Sequence, residues 1–226
     1  MQNLTPVITF DGPSGSGKGT IAQKVAATLE WHYLDSGALY RTVAWATEYH
    51  HTNLENPQHL GKFVEHLNIR FDANPDNPAL FCEGIPITDD IRSEKISVLA
   101  SKVAAIPEVR EALLKRQRRF RQPPGLVADG RDMGTVVFTD AVVKFYLTAS
   151  AAERANRRYF QLKKKGISVS LRDIQEELEA RDHRDKNRDV SPLTLAPDML
   201  KIDTTSMNIE EVFHHVMQVI QGRIEA

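Results

Sequence analysis

A short apolar run, Pro6 to Phe10, opens directly onto Gly12-Pro13-Ser14-Gly15-Ser16-Gly17-Lys18-Gly19-Thr20. Ile21, Val25 and Leu29 then recur at helical spacing. Strand, glycine loop, lysine and helix in that order form a concave anion site. Its backbone N–H groups point inward, and the helix dipole adds positive charge. Glycines permit the close backbone approach. The stretch therefore predicts a phosphate loop, with Gly12 to Thr20 around a nucleotide's phosphates and Lys18 reaching the β- and γ-phosphates. Gly19 stands where a serine or threonine usually follows the lysine. The Thr20 hydroxyl comes one position late, and Thr20 is the candidate magnesium ligand of the loop.

The loop alone says only that a nucleotide binds. The Asn-Lys-x-Asp base reader of GTPases and the Ser-Gly-Gly signature of transporter ATPases are both missing from the sequence. Further along, strands and helices alternate. Apolar runs at Leu126-Val127-Ala128 and Val142 to Leu147 suit buried parallel strands, and Met199 to Ile202 suits a last one. Helical patterns cover about 36–49, 58–67, 93–104, 107–121, 151–165, 171–188 and 209–220. Ser36 is the expected N-cap of the first of these. The pattern predicts an α/β fold: a doubly wound parallel sheet that carries the phosphate loop. Ile69-Arg70-Phe71 and Leu80-Phe81-Cys82 flank the turn Asn74 to Pro78, which predicts a small antiparallel β insert. We expect a single domain over 1–226, with 1–62 and 101–226 as core, 63–100 as insert and 154–170 as a short helical lid.

Charge narrows the partners. The chain has 226 residues and a net charge of −1, which argues against a wholesale nucleic-acid binder. That balance hides two opposed regions. Glu48 to Glu94 holds nine acidic and three basic residues, whereas Arg154 to Arg188 holds eleven basic and six acidic ones. The single cysteine, Cys82, allows no internal disulfide and suits a reducing compartment. Without a signal-peptide pattern or an 18-residue apolar run, the expectation is a cytoplasmic protein with no membrane partner.

Three constellations point to an acceptor site. Leu34 to Arg41 places Tyr40 and Arg41 on a helix that starts at a strand end, where open α/β sheets bind ligands. Asp129-Gly130-Arg131-Asp132-Met133-Gly134-Thr135 ends a buried strand with three charges, expensive unless paired or used. Asp129 is placed like a carboxylate that holds magnesium. Leu171, Ile174 and Leu178 share one helix face, and the same stripe continues into Arg181, Asp185 and Arg188. That helix should run out of the core into a polar cleft, where guanidinium forks suit phosphate oxygens. Arg154 and Arg158 share a face at i, i+4, and with Lys163-Lys164-Lys165 predict a basic cover.

Together these residues resemble the bacterial cytidylate kinase family from about Val7 to Thr205. The marks are Gly12 to Thr20, Leu34 to Gly37 with Tyr40-Arg41, Asp129 to Thr135, and Arg181-Asp182 with Asp185 and Arg188. The resemblance implies ATP as phosphoryl donor, Mg2+, and CMP or dCMP as acceptor, giving CDP or dCDP. It implies Ser36, Arg110, Asp132 and Arg188 around the cytosine, and Ser101, Arg181 and Asp185 near the pentose. Arg41, Arg131 and Arg181 would hold the acceptor phosphate. Lys18, Arg131, Arg154 and Arg158 would offset charge on the transferred group, with Asp129 and Thr20 toward the metal. A monomer is expected. Two other readings stay open on the residues alone. One is a P-loop kinase for UMP, AMP or a sugar acid. The other is an ATP-dependent nucleic-acid module using Arg116, Arg118, Arg119 and Arg121.

Overall fold

All five residues of Val7–Asp11 are fully buried, and they form the central strand. The structure is a computed structural model and describes residues 4–72, 79–164 and 166–224. The turn expected over Asn74 to Pro78, and Lys165, lie outside the described residues. In chain order the elements are β1 (Val7–Asp11), α1 (Lys18–Leu29), β2 (His32–Asp35), α2 (Ser36–Tyr49), α3 (Pro57–His66), β3 (Ile69–Asp72), β4 (Ala79–Cys82), β5 (Ile85–Pro86), α4 (Glu94–Val103) and α5 (Pro107–Arg118). Then come β6 (Leu126–Gly130), β7 (Val143–Thr148), α6 (Ala151–Lys164), α7 (Leu171–Asn187), β8 (Leu200–Asp203) and α8 (Ile209–Ile224). A 3-10 turn spans Asp90–Arg92 and a π-helical turn spans Met133–Val137.

The chain divides into two compact units. The first comprises Met1–Asp35 and Arg118–Ala226, the second Ser36–Gln117. The segment 63–100, expected as the insert, falls inside the second.

The first unit is built on a five-stranded sheet in the order β2-β6-β1-β7-β8, and every neighbouring pair is parallel. Parallel strands buried on both faces read as nearly continuous apolar runs, as β1 and β7 do. On one face Ile8 and Phe10 of β1 meet Ile21 and Val25 of α1 and Val212, Val216 and Ile220 of α8. Phe10 stacks on its register partner Phe145 with ring centroids 4.9 Å apart. Thr9 and Asp11 alternate to the other face. Helices α6 and α7 join through Ala155, Ile174 and Leu178, with Tyr159, Leu162 and Val169 against them.

The second unit holds the antiparallel sheet β3-β4-β5 together with α2, α3 and α4 and most of α5. α2 buries residues around its whole circumference, from Ala38 and Leu39 to Ala46 and Thr47.

Several expectations shift. Ser36 heads α2 as its first residue instead of capping it. Leu171 is 42% exposed, because the buried stripe of α7 starts one turn later, at Ile174. α5 stops at Arg118, short of Arg121.

Candidate active site

The phosphate loop sits between the end of β1 and the start of α1, as the sequence predicts. Gly15 and Gly17 take φ of 78° and 87°, left-handed values that let successive N–H groups face one side. Lys18 opens α1 and is buried, and its Nζ donates to the Pro13 carbonyl at 3.2 Å. Burial and the charge of Arg131 push its pKa down to about 7, with Arg181 adding to them and Asp129 and Asp35 opposing. Three cations thus crowd one place at the mouth of the loop. Beside Asp35, Asp129 and Asp185 these cations favour an anion, and polyphosphate is the anion that a concave N–H nest suits.

Asp35 and Asp129 are register partners at the ends of neighbouring strands β2 and β6. Burial first, and then the Asp35 charge, push the Asp129 carboxyl up to about 6. Tyr33 Oη donates to Asp129 Oδ1 at 3.1 Å, and burial beside these carboxylates keeps the phenol protonated. The departure at Gly19 now has a cause. A Cβ there would stand 3.1 Å from Asp129 Oδ2, so a serine or threonine after the lysine would press on the carboxylate. Thr20 is exposed in the first turn of α1.

The end of β6 and the helix α7 come together. Arg131 Nε donates to Asp185 Oδ2 at 2.8 Å, and its Nη1 donates to the Gly130 carbonyl at 3.1 Å. Burial works against both charges. Arg131, helped by Arg181, still holds Asp185 below the usual carboxylate range, and Asp185 in turn raises Arg131. At the foot of α7, Arg188 Nη2 lies 3.9 Å from Asp132 Oδ1, and both side chains are buried. The charged continuation of the α7 stripe therefore meets the Asp129 to Asp132 segment.

Arg154 is placed differently from a free charge on a cover. It is buried, and it donates to the carbonyls of Ala149 and Ser14 at 3.0 Å each and to Asp182 Oδ2 at 2.6 Å. It ties the phosphate loop to α6 and α7. Arg158 lies on α6, half-buried.

In the second unit, Ser36 and Tyr40 occupy the first turns of α2, and both are buried. Arg41 follows them, half-buried. Arg110 of α5 is buried, donates to the Ala104 carbonyl at 3.2 Å and lies 5.6 Å over the Tyr40 ring. Ser101 is buried on α4. Cys82 is buried, and burial pushes its thiol up to about 11, so it has no thiolate character. Among the described residues no cluster of three or more His, Cys, Asp or Glu is arranged to hold a metal alone.

Three residues escaped the sequence reading. Asp11 ends β1 fully buried and accepts the Met133 and Gly134 N–H groups at 2.8 Å each. Arg157 donates to the Thr204 carbonyl at 2.6 Å and to Thr204 Oγ1 at 3.1 Å, and Thr204 Oγ1 donates to the Ser16 carbonyl at 3.0 Å. A charge at the end of a buried strand, the signal that marks Asp129, was present at Asp11 too. Arg157 and Thr204 carry no such signal in sequence. The basic run resolves into braces. Arg118 donates to the Val137 carbonyl at 3.1 Å, Arg121 to the Thr5 carbonyl at 2.6 Å and Arg116 to the Leu67 carbonyl at 2.7 Å. No helix among the described residues is long and apolar enough to cross a membrane.

The protein's sequence resembles curated cytidylate kinases along its whole length. The one from Colwellia psychrerythraea is 51% identical over 225 residues, covering 99% of this chain and 100% of that protein. The one from Pseudomonas fluorescens is 53% identical over 225 residues, covering 99% and 98%. The one from Salmonella arizonae is 49% identical over 224 residues, covering 99% of each. The family described as cytidylate kinase matches residues 8–222, and with the phosphate loop, the Asp129 to Asp132 segment and the α7 arginines in place, this chain belongs to the cytidylate kinase family.

Proposed function

We propose that this chain transfers the γ-phosphoryl group of ATP to CMP or dCMP, giving ADP and CDP or dCDP. The observation that carries the reading is the convergence of Lys18, Arg131 and Arg181 beside the phosphate loop, with Arg131 fixed by Asp185 at 2.8 Å. Phosphoryl transfer needs little covalent chemistry from the protein; alignment and charge neutralisation do most of the work. The loop Gly12 to Thr20 binds the donor's phosphates through its N–H groups, and Lys18 leaves the Pro13 carbonyl for them. Arg131, with Arg181 and Arg41, binds the acceptor phosphate. Arg158 offsets charge on the transferred group, and Arg154 shapes the loop through the Ser14 carbonyl.

The Asp132 and Arg188 pair suits cytosine. A carboxylate accepts from the exocyclic amino group, and a guanidinium donates to N3 or O2. Uracil presents an oxygen where the amino group stood and leaves the buried carboxylate opposed to it. Ser36 and Arg110 are further contacts to the base, and Ser101 and Asp185 to the pentose. Asp35 and Asp129 are hard oxygen donors whose mutual repulsion a divalent cation would relieve, so these two residues would hold Mg2+. The ion would neutralise phosphate charge there. We read the enzyme as a cytoplasmic monomer, in keeping with its single, buried cysteine.

ADP formation measured with CMP, dCMP, UMP, AMP and GMP tests the reading. CMP and dCMP are expected well ahead of the rest, and equal rates with AMP would overturn the assignment.

A further inference from the structure

Asp11 belongs by sequence to the donor side. It is the residue immediately before the phosphate loop, and its strand leads straight into Gly12. Its carboxylate serves a different segment. Oδ1 accepts from Met133 N–H and Oδ2 from Gly134 N–H, each at 2.8 Å, across more than 120 residues of chain. Both donors lie directly after Arg131 and Asp132, in the π-helical turn Met133–Val137. The turn is held close to β1 on this face. A Cβ on Gly134 would stand 2.8 Å from Thr9 Oγ1 and 3.0 Å from Met199 Cε, so a larger residue would have to displace these side chains to keep its N–H at the carboxylate. The carboxylate is fully buried, and with two N–H donors it has little freedom to move.

We propose that Asp11 is a positioning residue for the acceptor nucleotide. By clamping the Met133 and Gly134 N–H groups, it fixes where Arg131 and Asp132 point, and it contributes little to ATP binding. The proposal rests on the cytidylate kinase reading, which assigns Arg131 and Asp132 to the acceptor. The geometry makes the dependence one-sided. The carboxylate meets the acceptor segment through two hydrogen bonds at 2.8 Å each, whereas Lys18 Nζ donates to the Pro13 carbonyl.

Asp11→Asn keeps the size and one acceptor oxygen, but it turns an amide N–H toward the second donor. Asp11→Ala removes both acceptors. Steady-state kinetics of the full-length enzyme should show the KM for CMP rising about tenfold in Asp11→Asn and further in Asp11→Ala, with the KM for ATP within about twofold of the parent. Thermal shifts give a second readout. Saturating CMP should raise the melting temperature of Asp11→Asn much less than that of the parent, while ATP raises both equally. A parent enzyme inactive on CMP would sink the functional reading itself. A parent active on CMP, with an Asp11→Asn variant whose ATP KM changes and CMP KM does not, would overturn the positioning role alone. An Asp11→Asn chain that does not fold would assign Asp11 to stability and overturn it as well.

Discussion

Arg131 and Asp185 are 54 residues apart in sequence, yet Arg131 Nε donates to Asp185 Oδ2 at 2.8 Å with both side chains largely buried. Arg131 directly follows β6 and Asp185 sits in the last turns of α7, so one ion pair joins the sheet to the helix that carries Arg181 and leads into Arg188. Asp185→Asn should release the guanidinium without removing it. The expected result is a fall of about 100-fold in kcat/KM for CMP with ATP binding unchanged. Arg131→Lys should fare no better, since an ammonium lacks the planar fork. Calorimetric titration of each nucleotide separates the two effects.

Arg154 reaches three acceptors, and its only anionic one is Asp182. Removing one partner of a buried pair strands the other charge, which typically costs about 3 kcal/mol or more. Asp182→Ala should therefore lower the denaturant midpoint clearly. It should also weaken ATP binding, because Arg154 donates to the phosphate loop at Ser14. Urea unfolding and ATP titration check the two halves. A variant as stable as the parent would show that the pair contributes nothing net.

The sheet was legible because buried parallel strands announce themselves as apolar runs, and the loop because glycine spacing and a following helix specify it together. The α7 arginines were legible for a related reason: an apolar stripe that turns charged along one line has to leave the core. The roles of Arg154 and Asp11 were not. Helical spacing paired Arg154 with Arg158, but the structure turns Arg154 inward to Ser14 and Asp182. Sequence periodicity gives a face, not the partner that waits there. The π-helical turn was equally hidden. Asp11 takes two of its N–H groups, and that tertiary contact has no local pattern.

Gly19 departs from the usual phosphate loop, and the space around it explains why. A methyl group there would meet Asp129 Oδ2 at 3.1 Å, tight enough that the carboxylate must shift. Asp129 also accepts from Tyr33, so its freedom to give is small. Gly19→Ala should lower kcat about tenfold through the displaced carboxylate, with a change in melting temperature of only a few degrees. If Gly19→Ala matches the parent in kcat, Asp129 tolerates the shift and its position is not critical.

The buried Asp11 also makes stability depend on pH in a direction opposite to most carboxylates. Burial pushes its pKa from 3.8 up to about 7, with Asp132 adding to the rise and the two N–H groups and Lys18 holding it back. A carboxyl whose pKa is higher folded than unfolded binds more protons in the native state between those values. Its contribution to stability is therefore full below about pH 4 and lost as pH climbs through about 7. Asp11→Asn removes that titration. The melting temperature of the ligand-free parent should fall relative to Asp11→Asn by a few degrees per pH unit between pH 5 and 7, an order-of-magnitude figure for a chain of this size. Above that range the two curves should run parallel. Scanning calorimetry of both proteins across pH 4 to 8 measures the difference. Curves parallel throughout would mean that Asp11 stays ionised in the folded protein and that its two backbone hydrogen bonds outweigh its burial.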